Sequence, residues 1–464
     1  MSDFFVKNSL NSDSYGIVLQ FLNLIDAINF TTVSKDFLSQ SIKYLGCMDP
    51  IEVKLELWRK RFPNAIYANI SYRDDITSGD FKYLKGIQKL KMRCCYKITD
   101  YAFVYLKGIK KLDMSNCIKI TDDAFIHLKG IQKLDIGSTN INGSGFVHIE
   151  GIKTLRMSSC NISTDNSFEF LNSIEELEIS NCVKITDCDL AHLKGIQKLR
   201  ISSCSKITDD VLIHLKGIKK LDLTHCCKIT DDAFIHIKGI HDIDLDISHN
   251  NITDKCFVHL EGIKKLTLRH CELITDNALI YLKGIQDLDI SNTNITGSGL
   301  VHLKGIKKLR MTKCFKLTDD NFENLGGIEE LDINYTNITG KCFVHLIGIQ
   351  KLNISWCFKI TDDALVYLEG IQELDMSCTH LTDKFFAHLE GIKKLNISHC
   401  KHITDGAFVH LKSIQKLNIT YTNITGEGFI HLASIQNLTM YSCKYITDNA
   451  FIHLKSIKKL EIIK

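Results

Sequence analysis

Proline and long apolar runs are both scarce in this sequence. It has only 2 prolines in 464 residues, Pro50 and Pro63, and both precede the part of the chain that repeats regularly. No apolar run approaches the ~18 residues that a membrane helix needs. The first residues, MSDFFVKNSLNSDSYG, lack the basic segment followed by an apolar stretch that marks a secretory signal. We therefore expect no membrane partner and no secretion, with a cytoplasmic or nuclear location.

An excess of charge of either sign is also absent. The 57 basic and 54 acidic residues leave a net charge of +3, which gives no electrostatic basis for binding nucleic acid, and we expect none to bind. A mean hydropathy near zero with 8% aromatic residues excludes a disordered chain. The 18 cysteines, without an export signal, are expected to be reduced thiols.

What the sequence has in abundance is a repeat of 21 to 23 residues. About 17 units fill residues 87–456, after a degenerate copy at 65–86 and before a final strand at 457–464. From Ile285 onward, 21-residue units carrying Thr alternate with 22-residue units carrying Cys at the same position. The unit that opens at Ile240 has 23 residues, for which we expect a local bulge.

Each unit divides into a strand half and a short helical half. In IKKLDMSNCIKITDDAFIHLKG, which begins at Ile109, apolar residues alternate through Leu112 and Met114, as in a β-strand. Thr121 then offers an N-cap oxygen, and Gly130 stands where a left-handed residue would end a short helix. One unit cannot bury both halves, whereas stacked units can. The pattern predicts an α/β solenoid with a parallel concave sheet.

The motif LxxLxLxxC followed by ITDxxhxxL resembles the cysteine-containing subtype of the leucine-rich repeat family. The resemblance covers residues 65–464 and implies a horseshoe that binds proteins. Eleven cysteines share one repeat position, and because no CxxC pair occurs we expect a buried ladder and no metal site. Those cysteines are Cys95, Cys117, Cys160, Cys182, Cys204, Cys226, Cys271, Cys314, Cys357, Cys400 and Cys443. We expect each ladder side chain to tie the turn after its own strand.

Two charged columns alternate on the inner face of the sheet. Lysines such as Lys111 and Lys220 stand two residues after the opening Ile, and acids such as Asp113 and Asp222 stand two residues further on. Because the two signs lie side by side, this face is expected to be zwitterionic. The pattern predicts that Leu221 is buried and that Asp222 is solvated.

Aromatic side chains gather beyond the strand ends of the C-terminal units, where earlier units carry mostly Asn or Ser. Neighbouring exposed aromatic residues are typical of a protein-binding surface, although drift between repeats would leave the same pattern. The predicted target-binding residues are Lys313, Phe315, Tyr335, Trp356, Phe358, His399, Tyr421 and Tyr441.

Residues 10–64 do not follow the repeat. The run NLIDAINFTTVSKDFLSQ at 23–40 resembles the core of an F-box, and LELWRKRFP at 55–63 resembles the segment that commonly follows one. The Leu-Pro opener of that motif is absent, and Phe37 stands where many members carry Trp. The resemblance implies a small all-α domain at 10–64 that docks on a Skp-family adaptor. The adaptor-binding residues would be Leu19, Leu22, Asp26, Val33 and Phe37.

An F-box followed by leucine-rich repeats implies the substrate-recognition subunit of an SCF-type ubiquitin ligase. Such a subunit has no cofactor and no catalytic residues of its own, and it holds an unknown protein target on the concave face. The alternative is a repeat scaffold that binds a cellular or host protein without a ubiquitin link, with residues 10–64 acting only as a cap. The Lys, Ile and Asn bias is compatible with an origin in a large DNA virus of protists.

The ladder interpretation makes a prediction about the thiols. Adjacent strands lie ~4.8 Å apart, whereas a disulfide requires Cβ atoms about 3.8 Å apart. Thiol titration of the denatured protein should therefore find nearly all 18 cysteines free. Elemental analysis that found stoichiometric zinc would contradict the ladder.

Overall fold

A computed structural model describes residues 53–162, 167–193 and 195–454 of the chain. The predicted adaptor-binding residues Leu19, Leu22, Asp26, Val33 and Phe37 and the predicted strand at 457–464 lie outside the described residues. The chain divides into two compact units, unit 1 ending at Lys220 and unit 2 beginning at Leu221. Within the described ranges, no helix has the length and apolarity needed to cross a membrane.

Unit 1 is a parallel solenoid in which each strand pairs with the next strand along the chain. Its helices are α1 (Leu55–Arg61) and α2 (Asp187–Leu190), and its strands are β1 (Tyr67–Asn69), β2 (Lys89–Lys91), β3 (Lys111–Asp113), β4 (Lys133–Asp135), β5 (Thr154–Ser158), β6 (Glu176–Ser180) and β7 (Lys198–Ser202). Between the strands lie 3₁₀ turns at Ser78–Leu84, Asp100–Leu106, Asp122–His127, Ser144–Ile149, Ser167–Leu171 and Asp209–His214.

Unit 2 has the same construction. The division from unit 1 falls within β8 (Lys220–Asp222), and the strands from β9 to β18 pair in sequence order, all parallel. These strands are β9 (Asp244–Asp246), β10 (Lys265–Thr267), β11 (Asp287–Asp289), β12 (Lys308–Arg310), β13 (Glu330–Asp332), β14 (Lys351–Asn353), β15 (Glu373–Asp375), β16 (Lys394–Asn396), β17 (Lys416–Asn418) and β18 (Asn437–Thr439). Its 3₁₀ turns are Asp231–Ile237, Asp254–His259, Asp276–Leu282, Ser298–Leu303, Asp319–Asn321, Glu323–Leu325, Lys341–His345, Asp362–Leu368, Asp383–Leu389, Asp405–His410, Glu427–His431 and Asp448–Leu454.

The helical half of nearly every unit is 3₁₀ and not α. A unit of 21 or 22 residues leaves only a few residues for this half, and a 3₁₀ helix rises about 2.0 Å per residue against 1.5 Å for an α-helix, so it spans the distance with fewer residues. Gly130 ends its turn with a φ of 81°, in the left-handed region that the sequence predicts for it.

Leucine and isoleucine columns set the strand register. Leu112 pairs with Leu134, and Leu331 pairs with Leu352, so the buried residue of each strand lies beside that of the next. The 3₁₀ turns bury a phenylalanine column against this layer, in which the rings of Phe125 and Phe146 stack 6.1 Å apart. The buried core therefore consists of columns of like residues, one from each unit, that run along the solenoid.

Helix α1 covers the first repeat of unit 1. Trp58 and Phe62 are buried, each only 2% exposed. Arg59 fixes the helix in place, since its guanidinium donates to the carbonyls of Tyr83 (2.6 Å) and Lys85 (3.1 Å) in the first 3₁₀ turn and the loop after it. The apolar end of the repeats is thus capped by residues of the segment 53–62.

The cysteine ladder links neighbouring units. The thiol of Cys117 donates to the carbonyl of Met92 in the preceding unit at 2.9 Å, and burial raises the pKa of this thiol to about 12, which keeps the donor protonated. The prediction that each ladder side chain ties its own turn is incomplete for cysteine, because Cys160 donates both to Ser158 of its own unit at 3.4 Å and to Ile136 of the preceding unit at 3.2 Å. It is correct for threonine: Thr293 donates to Ile290 at 2.7 Å, within its own unit.

One carbonyl accounts for the alternation of Thr and Cys. Ile290 accepts both from Thr293 of its own unit and from Cys314 of the next, the latter at 3.2 Å. A carbonyl oxygen has two lone pairs and can accept two hydrogen bonds. When a 21-residue Thr unit is followed by a 22-residue Cys unit, the Thr hydroxyl and the Cys thiol use both lone pairs. The same sharing occurs at Ile136, Ile333, Met376 and Ile419.

Many of the 3₁₀ turns begin with an aspartate that bonds to the following unit. Asp319 accepts from the backbone N–H groups of Thr339 (2.9 Å), Gly340 (3.0 Å) and Cys342 (3.2 Å), and from the Thr339 hydroxyl (2.9 Å). In unit 1, Asp122 makes the equivalent bonds to the turn that follows it. The sequence indicated these acids only as residues of the first helical turn.

The 23-residue unit takes up its extra length before its strand. In other units the residue after the opening Ile accepts, through its carbonyl, from the backbone of the next unit, and here that residue is His241, which accepts from Lys264. The residue paired with Leu266, however, is Leu245, which lies five and not three residues after the opening Ile240. The two additional residues therefore lie between His241 and Leu245. The ladder position is filled by Asn250, whose side-chain amide donates to both Leu223 (2.9 Å) and Ile247 (3.1 Å).

The prediction of a solvated Asp222 is wrong. Leu221 is buried as expected, but Asp222 is only 6% exposed, because its carboxylate turns back to accept from the backbone N–H (3.0 Å) and hydroxyl (2.6 Å) of Thr224. Asp289 is 2% exposed and accepts in the same way from Ser291. Acids of this column therefore order the turn after the strand.

The cysteines that the structure describes are all free thiols. Across residues 53–162, 167–193 and 195–454, no group of three or more His, Cys, Asp or Glu side chains is arranged to hold a metal ion.

Replacing Asp319 with Asn should destabilise the protein by about 1–2 kcal/mol, because the carboxylate accepts four hydrogen bonds and the amide adds a donor that faces other donors. The adjacent Asp320 is exposed and offers a matched control: Asp320→Asn should stay within about 0.5 kcal/mol. Burial raises the pKa of Asp319, but the N–H groups of Thr339 and Cys342 outweigh it and leave that pKa lowered.

A lowered pKa in the folded state means that this stability is present above the unfolded value of about 3.9 and is lost as the pH falls below it. The difference between wild type and Asp319→Asn in chemical denaturation should therefore shrink below about pH 4. Equal destabilisation by the two substitutions at neutral pH would contradict the role of Asp319.

Candidate binding surface of unit 2

An open groove of about 490 Å³ runs along the sheet face of unit 2 from β12 to β18. Two rows of side chains form it, from the first and third positions of each strand, since alternate residues of a strand share a face. The middle residues, such as Leu331 and Leu352, point the other way and are 3% exposed. This is the concave face that the sequence predicts to hold a protein target.

The first row alternates in charge and is paired across strands. Lys308 lies 3.0 Å from Glu330, and Lys351 lies 3.3 Å from the same carboxylate. Glu373 pairs with Lys394 at 2.6 Å. Burial raises the pKa of Glu330, but Lys308 and Lys351 outweigh it and leave the pKa lowered. The row is zwitterionic, as predicted, and these half-exposed pairs fix the positions of charges more than they add stability.

From β13 to β16 the second row alternates acids with amides. Asn353 donates to Asp332 at 3.1 Å, and Asn396 donates to Asp375 at 2.8 Å. Burial raises the pKa of Asp332. The floor of the groove therefore presents fixed amide and carboxylate groups, which suit the polar backbone and side chains of a protein.

The residue just beyond each strand end adopts a left-handed conformation. Its φ is 62° at Asn116, 55° at Ser138 and 59° at Trp356. In Trp356 the backbone N–H donates to the carbonyl of Ser377 in the next unit at 3.0 Å, and the same bond recurs along the solenoid. Asn tolerates this conformation, which explains the Asn-rich column of earlier units, whereas a bulky side chain here is strained.

Several predicted target-binding residues meet in one stack. Tyr335 and Trp356 lie with ring centroids 4.9 Å apart and planes within 17°, and the ammonium of Lys313 sits 5.6 Å above the Tyr335 ring. Phe358 meets Trp356 edge to face at 5.9 Å. Tyr335 and Trp356 hold bulky rings in this strained conformation while 36% and 40% exposed, which indicates a function other than packing.

A second stack lies further along the same edge. His399 and Tyr421 have centroids 4.7 Å apart and planes within 20°. Tyr441 is placed beside this pair by its carbonyl, which accepts from the backbone of Tyr421 at 2.9 Å, and its ring is 40% exposed. Phe315 is 58% exposed, and its carbonyl accepts from Asn337. We call the eight predicted residues the aromatic edge.

Sequence reasoning missed further rings of unit 2. His380 lies 5.6 Å from Phe358, and His402 continues the row at 6.0 Å. In three earlier repeats of unit 2, His225, His249 and His270 stack at 4.0 and 4.3 Å. These three occupy the same left-handed column as Trp356, so aligning the units by that column would have found them.

The sequence matches the family described as the BspA type leucine rich repeat region, in six copies that span residues 96–219, 206–325, 302–415 and 367–464. Together these spans cover residues 96–464, well over half of the chain. The chain belongs to the BspA-type leucine-rich repeat family. The predicted leucine-rich repeat fold is thereby confirmed, and membership of the cysteine-containing subtype stays a prediction.

A solved structure shares the fold of these BspA-type repeats. The crystal structure of the TLR13–ssRNA13 complex aligns with a TM-score of 0.64 over 87% of this chain and 67% of that chain, at 18% identity. No curated protein matches the sequence. Because the solved relative is a complex with single-stranded RNA, the expectation that the BspA-type chain binds no nucleic acid stays a prediction.

The strain at Trp356 makes a prediction about stability. Trp356→Asn removes one ring stack, worth about 0.5–1.5 kcal/mol, and places a residue that tolerates the left-handed conformation. The free energy of unfolding should therefore change by no more than about 1 kcal/mol, measured by urea denaturation. Leu352→Ala, in the buried column of β14, is the contrasting control and should cost about 2–5 kcal/mol. A large loss at Trp356 would indicate a packing role and argue against a binding surface.

Proposed function

We propose that this protein recognises a protein target through the groove of unit 2 and the aromatic edge beside it. The observation that carries the proposal is the strained, exposed stack of Tyr335 and Trp356 next to a groove with fixed charges of both signs. Aromatic residues dominate the energetics of protein interfaces, and paired charges of both signs complement a protein better than a polyanion.

We propose further that the chain is the substrate-recognition subunit of an SCF-type ubiquitin ligase. The resemblance of residues 23–40 to an F-box suggests that a Skp-family adaptor docks at residues 10–40. Leu19, Leu22, Asp26, Val33 and Phe37 would form the docking face. The catalytic step would lie in other subunits.

Helix α1 lies within the segment 10–64 and covers the first repeat through Trp58, Arg59 and Phe62, as the cap alternative expects. The adaptor proposal therefore concerns residues 10–40, in which Leu22 and Val33 would meet the adaptor. A scaffold without a ubiquitin link remains the second candidate, since the groove and the aromatic edge serve either function.

The experiment is co-precipitation of the full chain with a Skp-family adaptor. Leu22→Asp and Val33→Asp should each abolish adaptor binding, because a charge on the docking face cannot be buried against an apolar partner. Both variants should keep the melting temperature of the repeats. Leu57→Asp is a matched control on the exposed side of α1, where the side chain is 58% exposed, and should leave adaptor binding and melting unchanged.

Truncation separates the two candidates further. A chain that begins at residue 53 keeps α1 and should stay soluble with an unchanged melting temperature while losing the adaptor. Aggregation of this truncated chain, or wild-type protein that binds no adaptor, would support the cap and the scaffold function instead.

A further inference from the structure

The left-handed column of unit 2 has a gap in its stack of rings. Tyr335 and Trp356 form one parallel pair, and His399 and Tyr421 form the other. The unit between Trp356 and His399 carries Cys378 at this position, with a φ of 57°, and its small side chain is only partly buried. The column therefore lacks a ring where the two pairs would otherwise meet.

The gap has the dimensions of one aromatic ring. The centroid separations within the pairs, 4.9 and 4.7 Å, match one strand spacing, so the ring faces are directed along the line of repeats. Trp356 and His399 are two units apart, which is roughly 9.6 Å at a strand spacing of ~4.8 Å. A flat ring in van der Waals contact with both faces needs about 7–8 Å. The gap accepts one ring with about 2 Å to spare.

Further rings and several cationic side chains accompany the gap. Phe358 meets Trp356 edge to face at 5.9 Å and lies 5.6 Å from His380, two residues after Cys378. The edge segments of seven successive units, 312–318, 334–339, 355–361, 377–382, 398–404, 420–425 and 441–447, contain no Asp or Glu. They contain five lysines, Lys313, Lys316, Lys359, Lys401 and Lys444, all exposed.

We infer that Trp356, Cys378 and His399 form a slot for one aromatic side chain of a protein partner, presented by a segment in which acidic residues flank it. The inference rests on the proposed function, since it names the group that the aromatic edge recognises. The ring of the partner would stack between Trp356 and His399, and its acidic neighbours would meet Lys359 and Lys401.

The geometry favours a protein over a nucleic acid. A single-stranded nucleic acid is held by ring faces on which successive bases stack. Here the two rings within each pair cover one another's inner faces, and the gap between Trp356 and His399 is left as one slot. A lone aromatic side chain fits this single slot.

The test uses the full chain and labelled peptide pools. Each pool has acidic residues around one fixed central position, which is Trp, Tyr, Phe or Ala, with the remaining positions randomised. The aromatic pools should bind about tenfold more tightly than the Ala pool, measured by fluorescence anisotropy. They should also slow the alkylation of Cys378 by iodoacetamide, measured by mass spectrometry, whereas the Ala pool should not.

Filling the slot should abolish the preference. Cys378→His places a ring that this column already accepts at His399, and it should reduce aromatic binding to the level of the Ala pool. Cys378→Ser leaves the slot open and should bind like wild type. Asn292→His is the matched control, since Asn292 has the same left-handed conformation, with a φ of 58°, outside the slot. Unchanged melting of each variant verifies that it is folded.

The outcomes separate the slot from the proposed function. Equal binding of all pools, or aromatic binding that survives Cys378→His, overturns the slot. If Lys351→Glu or Trp356→Ala then still weakens peptide binding, the target-binding surface stands without it. If no variant weakens binding, the surface fails as well. The chain is also tested with a single-stranded oligonucleotide in the same way. If the oligonucleotide binds and Cys378→His abolishes that binding, the slot is assigned to a base and the protein partner is overturned.

Discussion

Where a 3₁₀ turn begins with aspartate, its carboxylate bonds to the following unit and helps to hold that unit in register. Asp319 alone satisfies three backbone N–H groups at the start of the next turn, which a 3₁₀ segment of five residues cannot satisfy internally. The same bonds recur at turns such as those of Asp122, Asp276 and Asp405, and together with the parallel strand pairing they keep equivalent residues one strand spacing apart. The leucine pairing, the phenylalanine column and the cysteine ladder all depend on that constant offset.

The aromatic edge is a consequence of this offset. The backbones at one repeat position are brought within about 4.8 Å of each other, so consecutive rings at that position come into contact. Tyr335 and Trp356 do so, and so do His399 and Tyr421. The groove beside them follows the same rule, since Lys308, Glu330 and Lys351 alternate along one row and pair with their neighbours. A surface of this kind is altered by single substitutions without disturbing the repeat beneath it.

The alternation of unit lengths also has a structural cause. In a 21-residue unit, the threonine after the strand, such as Thr293, donates to the carbonyl of Ile290 in the same unit. The following 22-residue unit supplies a cysteine, Cys314, whose thiol donates to the same carbonyl. In place of a threonine cap, the shorter unit uses glycines such as Gly297, whose φ of 103° suits the tighter turn, and Gly299, where a Cβ would lie 2.6 Å from the carbonyl oxygen of Asp276. The 43-residue block is therefore a unit of hydrogen bonding as well as of sequence.

Periodicity alone was sufficient to predict the parallel strands, the buried leucines and the glycine that ends turns such as Asp122–His127, because these depend on spacing within a unit. Contacts between units were beyond it. The backward bond of Cys117 and the gap at Cys378 arise only when units stack, because the other residues involved lie in neighbouring units. The burial of Asp222 depends on a turn that folds its carboxylate back onto Thr224, which the strand period does not reveal. The sequence of the protein thus determined its repeat and its fold, and the tertiary structure decided which of the repeated side chains are buried, bonded or left facing a partner.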